Sequence, residues 1–384
     1  MARKVDGKPM LAFDFFCGSG GLTRGLLDAG IKVIAGFDSD EKCRQSYESN
    51  NAPARFVRGD IRELSVADLK EYSKDTPFGE MLFAGCAPCQ PFSQQVKNAE
   101  CRQDATLLSE FGRLIEATLP GQVLMENVPG IARVKGNSTF KRLLRLLEEN
   151  DYQYVYDVID AKQFGVPQKR RRLVLIALRH VQPSMPRVKY GAGALPFRTV
   201  RQAISHFPPI AAGEVHPDVA NHVAASITPL NLKRLHRTPH DGGDRRSWPK
   251  SLRLECHTGN YGGHTDVYGR MAWDAPAPTL TGRCHSISNG RYGHPMQDRA
   301  ISLREAAALQ SFPDSYAFHG SNKHIALQIG NAVPVKLAEA MGTHIQVLAT
   351  GASSINTKAS GNAVPKAKGV KRQARRSRGH VIAD

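Results

Sequence analysis

One cysteine, Cys89, follows an apolar run at 81–84 and lies between Pro88 and Gln90. The apolar run predicts a short buried strand, which the prolines around Cys89 end because proline cannot join a sheet's hydrogen-bond ladder. Cys89 is therefore expected on a rigid loop beyond the carboxyl end of a strand, where open α/β sheets place their chemistry. A thiol there can act as a nucleophile if its thiolate is favoured. The alternative is an inert buried cysteine, the commoner case for a cysteine taken alone.

Glu126 ends a second apolar run, at 122–125, so its carboxylate is expected to face the Cys89 loop. A nucleophile that attacks a pyrimidine ring needs an acid that protonates the ring nitrogen, and a carboxyl whose pKa is raised by burial can supply that proton. The alternative is a strand-end carboxylate that only caps nearby backbone. Cys89 and Glu126 are thus the candidate catalytic pair.

A basic run, 168–172, precedes a further apolar strand. If that strand begins at Arg172, then Arg170 and Arg172 share a face by the period of two. Two arginines that face one cleft suit a phosphate or a base carbonyl. A solvated charge run is the alternative, and it fits Lys169 and Arg171 better.

The first predicted strand is followed by the turn Gly18-Ser19-Gly20-Gly21. This turn lacks the Gly-x-Gly-x-x-Gly spacing that brings a helix N-terminus onto a pyrophosphate. Asp38 follows the second strand about twenty residues later, where a carboxylate can bond ribose hydroxyls. A nucleoside cofactor without a pyrophosphate fits both features, which favours S-adenosylmethionine; a generic tight turn is the alternative.

The seven cysteines are odd in number and do not have the spacing of a disulfide framework. The N-terminus lacks a secretory signal, and no apolar run approaches a bilayer-spanning length. We therefore expect reduced thiols and a cytoplasmic protein. Zinc ligands could come from Cys86 with Cys89, Cys256-His257 and Cys284-His285, but the prolines and the lack of a second Cys-x-x-Cys argue against it, so no metal is predicted.

Strand and helix patterns alternate through the first half of the chain, which predicts an α/β fold: a doubly wound, mostly parallel, Rossmann-like sheet. Strands are predicted at 11–16, 32–37, 55–57, 81–84, 122–125, 154–159 and 173–178, and helices at 22–29, 41–48, 106–117 and 139–149.

The alternation stops near 180, where a smaller irregular domain rich in Pro, Gly and His begins. We expect a catalytic domain at 1–182 that is completed by 318–349, a second domain at 183–317, and a disordered basic tail at 350–384. Helices are predicted after a capping box at Ser302 and Glu305, and at 335–348. Of the formal charge of +17, the segments 181–300 and 351–384 each carry +7, as expected where a polyanion docks.

Taken together, six segments resemble the cytosine-C5 DNA methyltransferase family of bacterial and phage type over about residues 11–348. They are Phe-Asp-Phe-Phe-Cys-Gly-Ser-Gly-Gly at 13–21, Pro-Cys-Gln at 88–90, Glu-Asn-Val at 126–128, Gln-Lys-Arg-Arg-Arg at 168–172, Arg-Glu-Ala with Leu-Gln-Ser-Phe-Pro within 304–313, and Gly-Asn-Ala-Val-Pro at 330–334. The irregular basic segment falls where this family keeps its target-recognition region. Two positions depart from the pattern: Cys17, where many members have alanine, and Cys86, close to the nucleophile.

The resemblance implies a site for S-adenosylmethionine. Phe16 would stack on the adenine, Asp38 would hold the ribose, and the glycine turn would wrap the methionine part. The full set of implied cofactor residues is Phe16, Gly18, Ser19, Gly20, Gly21, Asp38, Ser39, Asp60, Ile61, Pro88, Asn331 and Val333.

The resemblance also implies a reaction. Cys89 would attack C6 of a cytosine flipped from the duplex, and Glu126 would hold or protonate N3. Arg172, with Arg170, would contact the base or its phosphate, while residues 94–104 would close over the base. The implied DNA contacts are Gln90, Ser93, Gln95, Arg245, Arg246 and Arg270; for the three arginines, base reading and backbone clamping are equally compatible with the sequence.

The expected partner is double-stranded DNA, without a membrane, and the protein is expected to be a monomer that can be paired with a cognate restriction endonuclease. One alternative is an RNA cytosine methyltransferase on the same core; the basic segment favours duplex DNA, and the Cys-Phe-Thr tripeptide of the tRNA-modifying branch is absent. The other is a DNA-binding protein that has lost catalysis, which we would expect to lack one of Cys89, Glu126 and Arg172.

Overall fold

The computed structural model describes residues 9–88, 101–133, 138–255 and 266–351, with only the backbone at 101–105 and 133. Its strands are β1 (Leu11–Phe15), β2 (Lys32–Asp38), β3 (Arg55–Arg58), β4 (Met81–Gly85), β5 (Gln122–Asn127), β6 (Gln153–Asp160) and β7 (Arg171–Leu178). Within the described residues these strands form one sheet in the order β3-β2-β1-β4-β5-β7-β6. Only β7 breaks the parallel arrangement, because it runs antiparallel to both β5 and β6. The predicted fold class is confirmed.

Helices cover both faces of this sheet. They are α1 (Gly21–Asp28), α2 (Arg44–Asn50), α3 (Val66–Ser73), α4 (Cys101–Thr118), α5 (Thr139–Glu149), α6 (Val200–Ile204), α7 (Pro229–His236), α8 (Leu303–Leu309), α9 (Asn322–Asn331) and α10 (Val335–Ala349). In β1, Ala12 packs toward α1 and α10, whereas its neighbour Phe13 packs with side chains from α3, α4 and α5. This alternation follows from the period of two along a strand, and it makes the sheet the centre of a three-layer lobe.

Four helices lack a prediction from the sequence: α3, α6, α7 and α9. In α3 only Leu69 and Ser73 are buried, so its apolar periodicity is weak, although Ser65 and Asp68 form the capping box that marks its start. In α9 the cap is Ser321, which accepts a hydrogen bond from the His324 backbone N–H. The helix α4 begins at Cys101, inside the segment 94–104 predicted as a loop; residues 94–100 lie outside the described residues.

The second lobe, meaning the described residues between 183 and 317, contains little regular structure. Besides α6, α7 and α8 it has short 3-10 turns and isolated β-bridges. Its hydrophobic core also takes in Phe318, Ile325 and Val335, so α9 packs with this lobe while α10 packs against α1. The boundary at 317 and 318 therefore stays a prediction. Among the described helices none is long and apolar enough to cross a membrane.

Candidate active site

The turn after β1 has a backbone that needs glycine. Phe16, Gly18 and Gly20 have φ angles of 60°, 50° and 92°, a left-handed region that side chains disfavour. A Cβ on Gly20 would lie 2.3 Å from Nδ2 of Asn51, and one on Gly21 would lie 2.5 Å from the carbonyl oxygen of Val333. A Cβ on Gly18, by contrast, would meet none of the described residues within 4 Å. The turn is thus packed on one side and open on the other.

Asp38, at the end of β2, orders this turn. Its Oδ2 accepts a hydrogen bond from the Gly18 backbone N–H and its Oδ1 accepts one from the Asp40 backbone N–H, both at 2.8 Å. Burial raises the pKa of the Asp38 carboxyl, and these two backbone donors oppose that effect. The residue predicted to hold a ribose therefore first fixes the turn that would receive the cofactor.

Side chains from distant parts of the chain close the packed side of the turn. The Tyr316 hydroxyl donates to the carbonyl oxygen of Ser19 and accepts a hydrogen bond from Nδ2 of Asn51. The Ser19 hydroxyl is buried, and it has no hydrogen-bond partner among the described residues. A buried unpaired hydroxyl is costly, so Ser19 Oγ is a polar atom available to a ligand at this turn.

Contacts within the described residues are given for two of the remaining predicted cofactor residues, Ile61 and Asp60. Ile61 is buried in the same apolar cluster as the half-buried Phe16. Asp60 pairs with Arg62, which lowers the pKa of the Asp60 carboxyl. For three more predicted cofactor residues we give only the exposure of the side chain: Ser39 and Asn331 are exposed, and Pro88 is half-buried.

Glu126 is 4% exposed at the carboxyl end of β5 and is held by two donors. Arg172 Nε lies 2.9 Å from its Oε1, and the Cys86 thiol donates to its Oε2 with an S···O distance of 2.9 Å. Two of the predicted catalytic residues, Glu126 and Arg172, are thus in contact. The contact from Cys86, which the sequence marks only as a departure, adds a third group to the site.

The segment that leads to Cys89 is anchored beside Glu126. The Cys86 backbone N–H donates to the carbonyl oxygen of Phe15 at 3.2 Å, and Asn127 Nδ2 donates to that of Ala87 at 3.1 Å. Cys89 itself lies outside the described residues, as do Gln90, Ser93 and Gln95. Their roles stay predictions.

Arg170 is a correction to the predicted catalytic set. It is 2% exposed, and its guanidinium donates to the backbone carbonyls of Leu280, Gly330 and Ala332 at 2.9, 3.0 and 3.2 Å. A guanidinium held in this way is not available to a base or a phosphate. Local spacing cannot reveal this, because the acceptors come from segments more than a hundred residues later in the chain.

Arg270 is a second correction. This predicted base reader is fully buried and donates to four backbone carbonyls and to Asp298. The other two candidates remain accessible: Arg245 is half-buried, and Arg246 is exposed and paired with Asp244. The Arg246 hydrogen bonds lower the pKa of Asp244 to about 2. Arg245 and Arg246 therefore stay predicted DNA contacts.

Known structures share this architecture. A prophage-encoded protein of Escherichia coli, described as a DNA modification methyltransferase, superposes with a TM-score of 0.69 over 89% of this chain and 99% of its own, at 22% identity. That likeness shows the fold, a Rossmann-like α/β class with one mostly parallel sheet.

Sequence comparison identifies the family of the protein. The family model for C-5 cytosine-specific DNA methylases matches residues 10–347, and the chain belongs to that family. The type II methylase M.HgiDII of Herpetosiphon aurantiacus is 39% identical over 87% of this chain and 94% of its own length. The type II methyltransferase M1.BsuMI of Bacillus subtilis is 32% identical over 86% and 79%. The chain is accordingly a DNA (cytosine-5)-methyltransferase.

Proposed function

We propose that this enzyme transfers the methyl group of S-adenosylmethionine to C5 of a flipped-out cytosine within a short, specific duplex DNA sequence. The observation that carries the proposal is the buried Glu126, held by Arg172 and Cys86 next to the segment that leads to Cys89. The family and the names of its type II relatives support it. Modification of a site that a restriction endonuclease would otherwise cut is the biological role that these names favour.

In this mechanism Glu126 acts on the ring nitrogen N3. Arg172 holds Oε1, so the carboxylate keeps one orientation while Oε2 exchanges its thiol donor for the base. Attack by the Cys89 thiolate forms an S–C6 bond, and N3 gains a proton as the ring electrons shift. C5 would then bond the methyl carbon as the bond between that methyl group and the cofactor sulfur breaks. Loss of the C5 proton to water would re-form the C5–C6 double bond, break the S–C6 bond and return the thiolate, while N3 gives its proton back to Glu126.

Residues around the glycine turn fit S-adenosylmethionine. Among the described residues, Gly18 has open space beside it and the Ser19 hydroxyl is unpaired, while Asp38 fixes the turn. When bound there, S-adenosylmethionine supplies an electrophilic methyl group on a sulfonium. Phe16 and Ile61 offer an apolar surface for an adenine, and Val333 packs on Gly21 to limit the pocket.

DNA contact is assigned to the second lobe and the tail. The positive charge concentrated at 181–300 and 351–384 suits a phosphate backbone. Arg245 and Arg246 are the proposed base or phosphate contacts, and the enzyme is proposed to work as a monomer in the cytoplasm.

The test is single-base 5-methylcytosine sequencing of DNA from a methylation-free host that expresses the protein. We expect 5-methylcytosine confined to one short motif. Glu126→Gln and Cys89→Ala should each lower the methylation rate of purified enzyme by at least about a hundredfold, because an acid–base group or the nucleophile is lost. Glu149→Gln, which changes an exposed glutamate at the end of α5, is the matched control and should retain the wild-type rate.

Three outcomes would contradict the proposal. Folded wild-type protein that leaves no 5-methylcytosine in DNA would point to an RNA substrate or to a binder without catalysis. Methylation at the wild-type rate by Cys89→Ala would remove the covalent step, and the same result for Glu126→Gln would remove the proton transfer.

A further inference from the structure

Arg170 joins two segments that lie far apart in the chain. Its Nη1 donates to Leu280 in the second lobe, and its Nη2 donates to Gly330 and Ala332 at the end of α9. Because the side chain is 2% exposed, all of these contacts are made in a low-dielectric interior. Moving either segment away would leave a buried cation with fewer acceptors, which is strongly unfavourable.

Gln168 makes a parallel connection two residues earlier. Its Oε1 accepts a hydrogen bond from the Leu280 backbone N–H at 3.0 Å, and its Nε2 donates to Gln310 Oε1 at 3.1 Å. Gln310 in turn donates to the carbonyl oxygen of Ile329 at 2.7 Å. We call Gln168, Arg170 and Gln310 the buried clamp; all three are at most 2% exposed.

The clamped segments are in direct contact. A Cβ on Gly330 would lie 2.2 Å from the carbonyl carbon of Thr281, so no side chain separates 280–282 from the end of α9. On the other side, Val333 O lies against Gly21 of the cofactor turn. At the surface, the Thr279 hydroxyl donates to the carbonyl oxygen of Lys169 at 2.6 Å. A continuous packed path therefore runs from the second lobe, through the clamp, to the glycine turn.

We propose that Arg170 is a positioning residue that couples duplex binding to cofactor binding. The inference rests on the proposed function, since the second lobe is the proposed DNA side and the glycine turn is the proposed cofactor side. A duplex that immobilises 279–282 also fixes 330–333, so the cofactor meets an already ordered pocket wall. By thermodynamic reciprocity, the cofactor tightens duplex binding by the same factor.

The test measures binding of S-adenosylhomocysteine, an unreactive product analogue, by calorimetry with and without a duplex that carries the methylated motif. For the wild type we expect the dissociation constant to fall by at least about fivefold when the duplex is present. Arg170→Lys keeps the charge but loses the planar fork that reaches three carbonyls, so the ratio of the two constants should approach one. Hydrogen exchange at 329–333 should slow on duplex binding in the wild type and not in this variant.

Two further variants separate coupling from general stability. Thr279→Val removes the exposed hydroxyl donor to Lys169 without disturbing a buried group, and it should lower the ratio while the protein stays folded. Arg171→Gln alters the exposed arginine next to Arg170 and should leave the ratio unchanged.

A wild-type ratio of one would overturn the inference, as would a wild-type ratio in both Arg170→Lys and Thr279→Val. Either result is compatible with a protein that still methylates one motif, so the proposed function would survive it. Wild-type protein that binds neither ligand would instead refute the proposed function, and the inference with it.

Discussion

The two lobes satisfy their buried backbone groups in different ways. In the sheet lobe, neighbouring strands pair backbone N–H with C=O along the ladder. In the second lobe, where the described strands are reduced to isolated bridges, buried arginines donate to the carbonyls instead. Arg270 does so with four of its five N–H donors, and the fifth pairs with Asp298. In an irregular lobe, guanidinium groups can thus donate the hydrogen bonds to buried carbonyls that strand pairing supplies in a sheet.

This difference changes how the basic charge of the second lobe is understood. Arg234, Arg270 and Arg299 are 7%, 0% and 0% exposed, so part of the excess at 181–300 is internal. Arg299 forms a bidentate pair with Glu305 at 2.7 Å for both bonds. Burial alone would raise the pKa of Glu305, but the Arg299 hydrogen bonds lower it. The DNA-facing charge is therefore smaller than the sequence indicates.

Removing one buried and one exposed arginine tests whether buried arginines stabilise the second lobe and exposed ones do not. Arg270→Leu should lower the free energy of unfolding by about 3–5 kcal/mol, because Asp298 and four carbonyls lose their donor. Arg246→Leu, the matched exposed control, should change it by less than about 0.5 kcal/mol and should instead weaken duplex binding. Urea denaturation and a DNA titration measure the two effects.

Should Arg270→Leu fail to fold, Arg270→Lys keeps the charge and is expected to retain a folded protein of reduced urea midpoint. An Arg270→Lys protein of wild-type stability that methylates a different motif would show that Arg270 reads bases and does not stabilise the second lobe.

The two lobes are also expected to respond to pH in opposite directions. Burial raises the pKa of Asp14 in β1 to about 7, although a hydrogen bond from Thr23 partly offsets it. The folded protein thus keeps a proton that the unfolded chain loses above about pH 4, and this stability is lost as pH rises toward 7. Burial lowers the pKa of His294 in the second lobe to about 4. The stability contributed by the neutral His294 is present above about pH 6.5 and is lost as pH falls toward 4.

The two pH ranges overlap and the two effects oppose each other, so the free energy of unfolding of the wild type should vary little with pH where they overlap. Asp14→Asn should make the free energy of unfolding rise with pH by about 2–4 kcal/mol across this window, and His294→Asn should make it fall by a similar amount. Urea titrations at several pH values measure both slopes. Identical slopes in the two variants would show that these groups do not govern the pH response.

The smallest effect is expected at the carboxyl ends of β4 and β5, where Cys86 contacts Glu126, the proposed acid. Cys86→Ala removes the donor to Glu126 Oε2 and should lower the single-turnover methylation rate by about tenfold, equivalent to about 1.4 kcal/mol. Cys86→Ser retains a donor and should restore most of the rate, with the urea midpoint nearly constant in both. Equal losses of rate in the two variants would mean that Cys86 matters only through its size.

The strands, and the position of Glu126 beside the segment that leads to Cys89, were predictable because they depend on local order. Apolar runs fix the strands, and residues that end neighbouring parallel strands meet at one edge. The burial of Arg170 and Arg270 was not predictable, since their acceptors come from distant segments and a basic residue shows the same spacing whether it is covered or exposed. Helix α9 was missed because its cap and three buried apolar residues give too weak a period by themselves.

The closing contacts of the glycine turn have a consequence for how the protein is made. The hydrogen bond from Tyr316 to Ser19 joins positions 297 residues apart, and Val333 and α10 reach the first helix from still later in the chain. During synthesis the early strands leave the ribosome long before the segments that close the turn, and contacts of such long range form slowly. A nascent or truncated chain therefore lacks the finished glycine turn at which we propose that the cofactor binds, and we expect methylation to begin only once translation has passed the last helix.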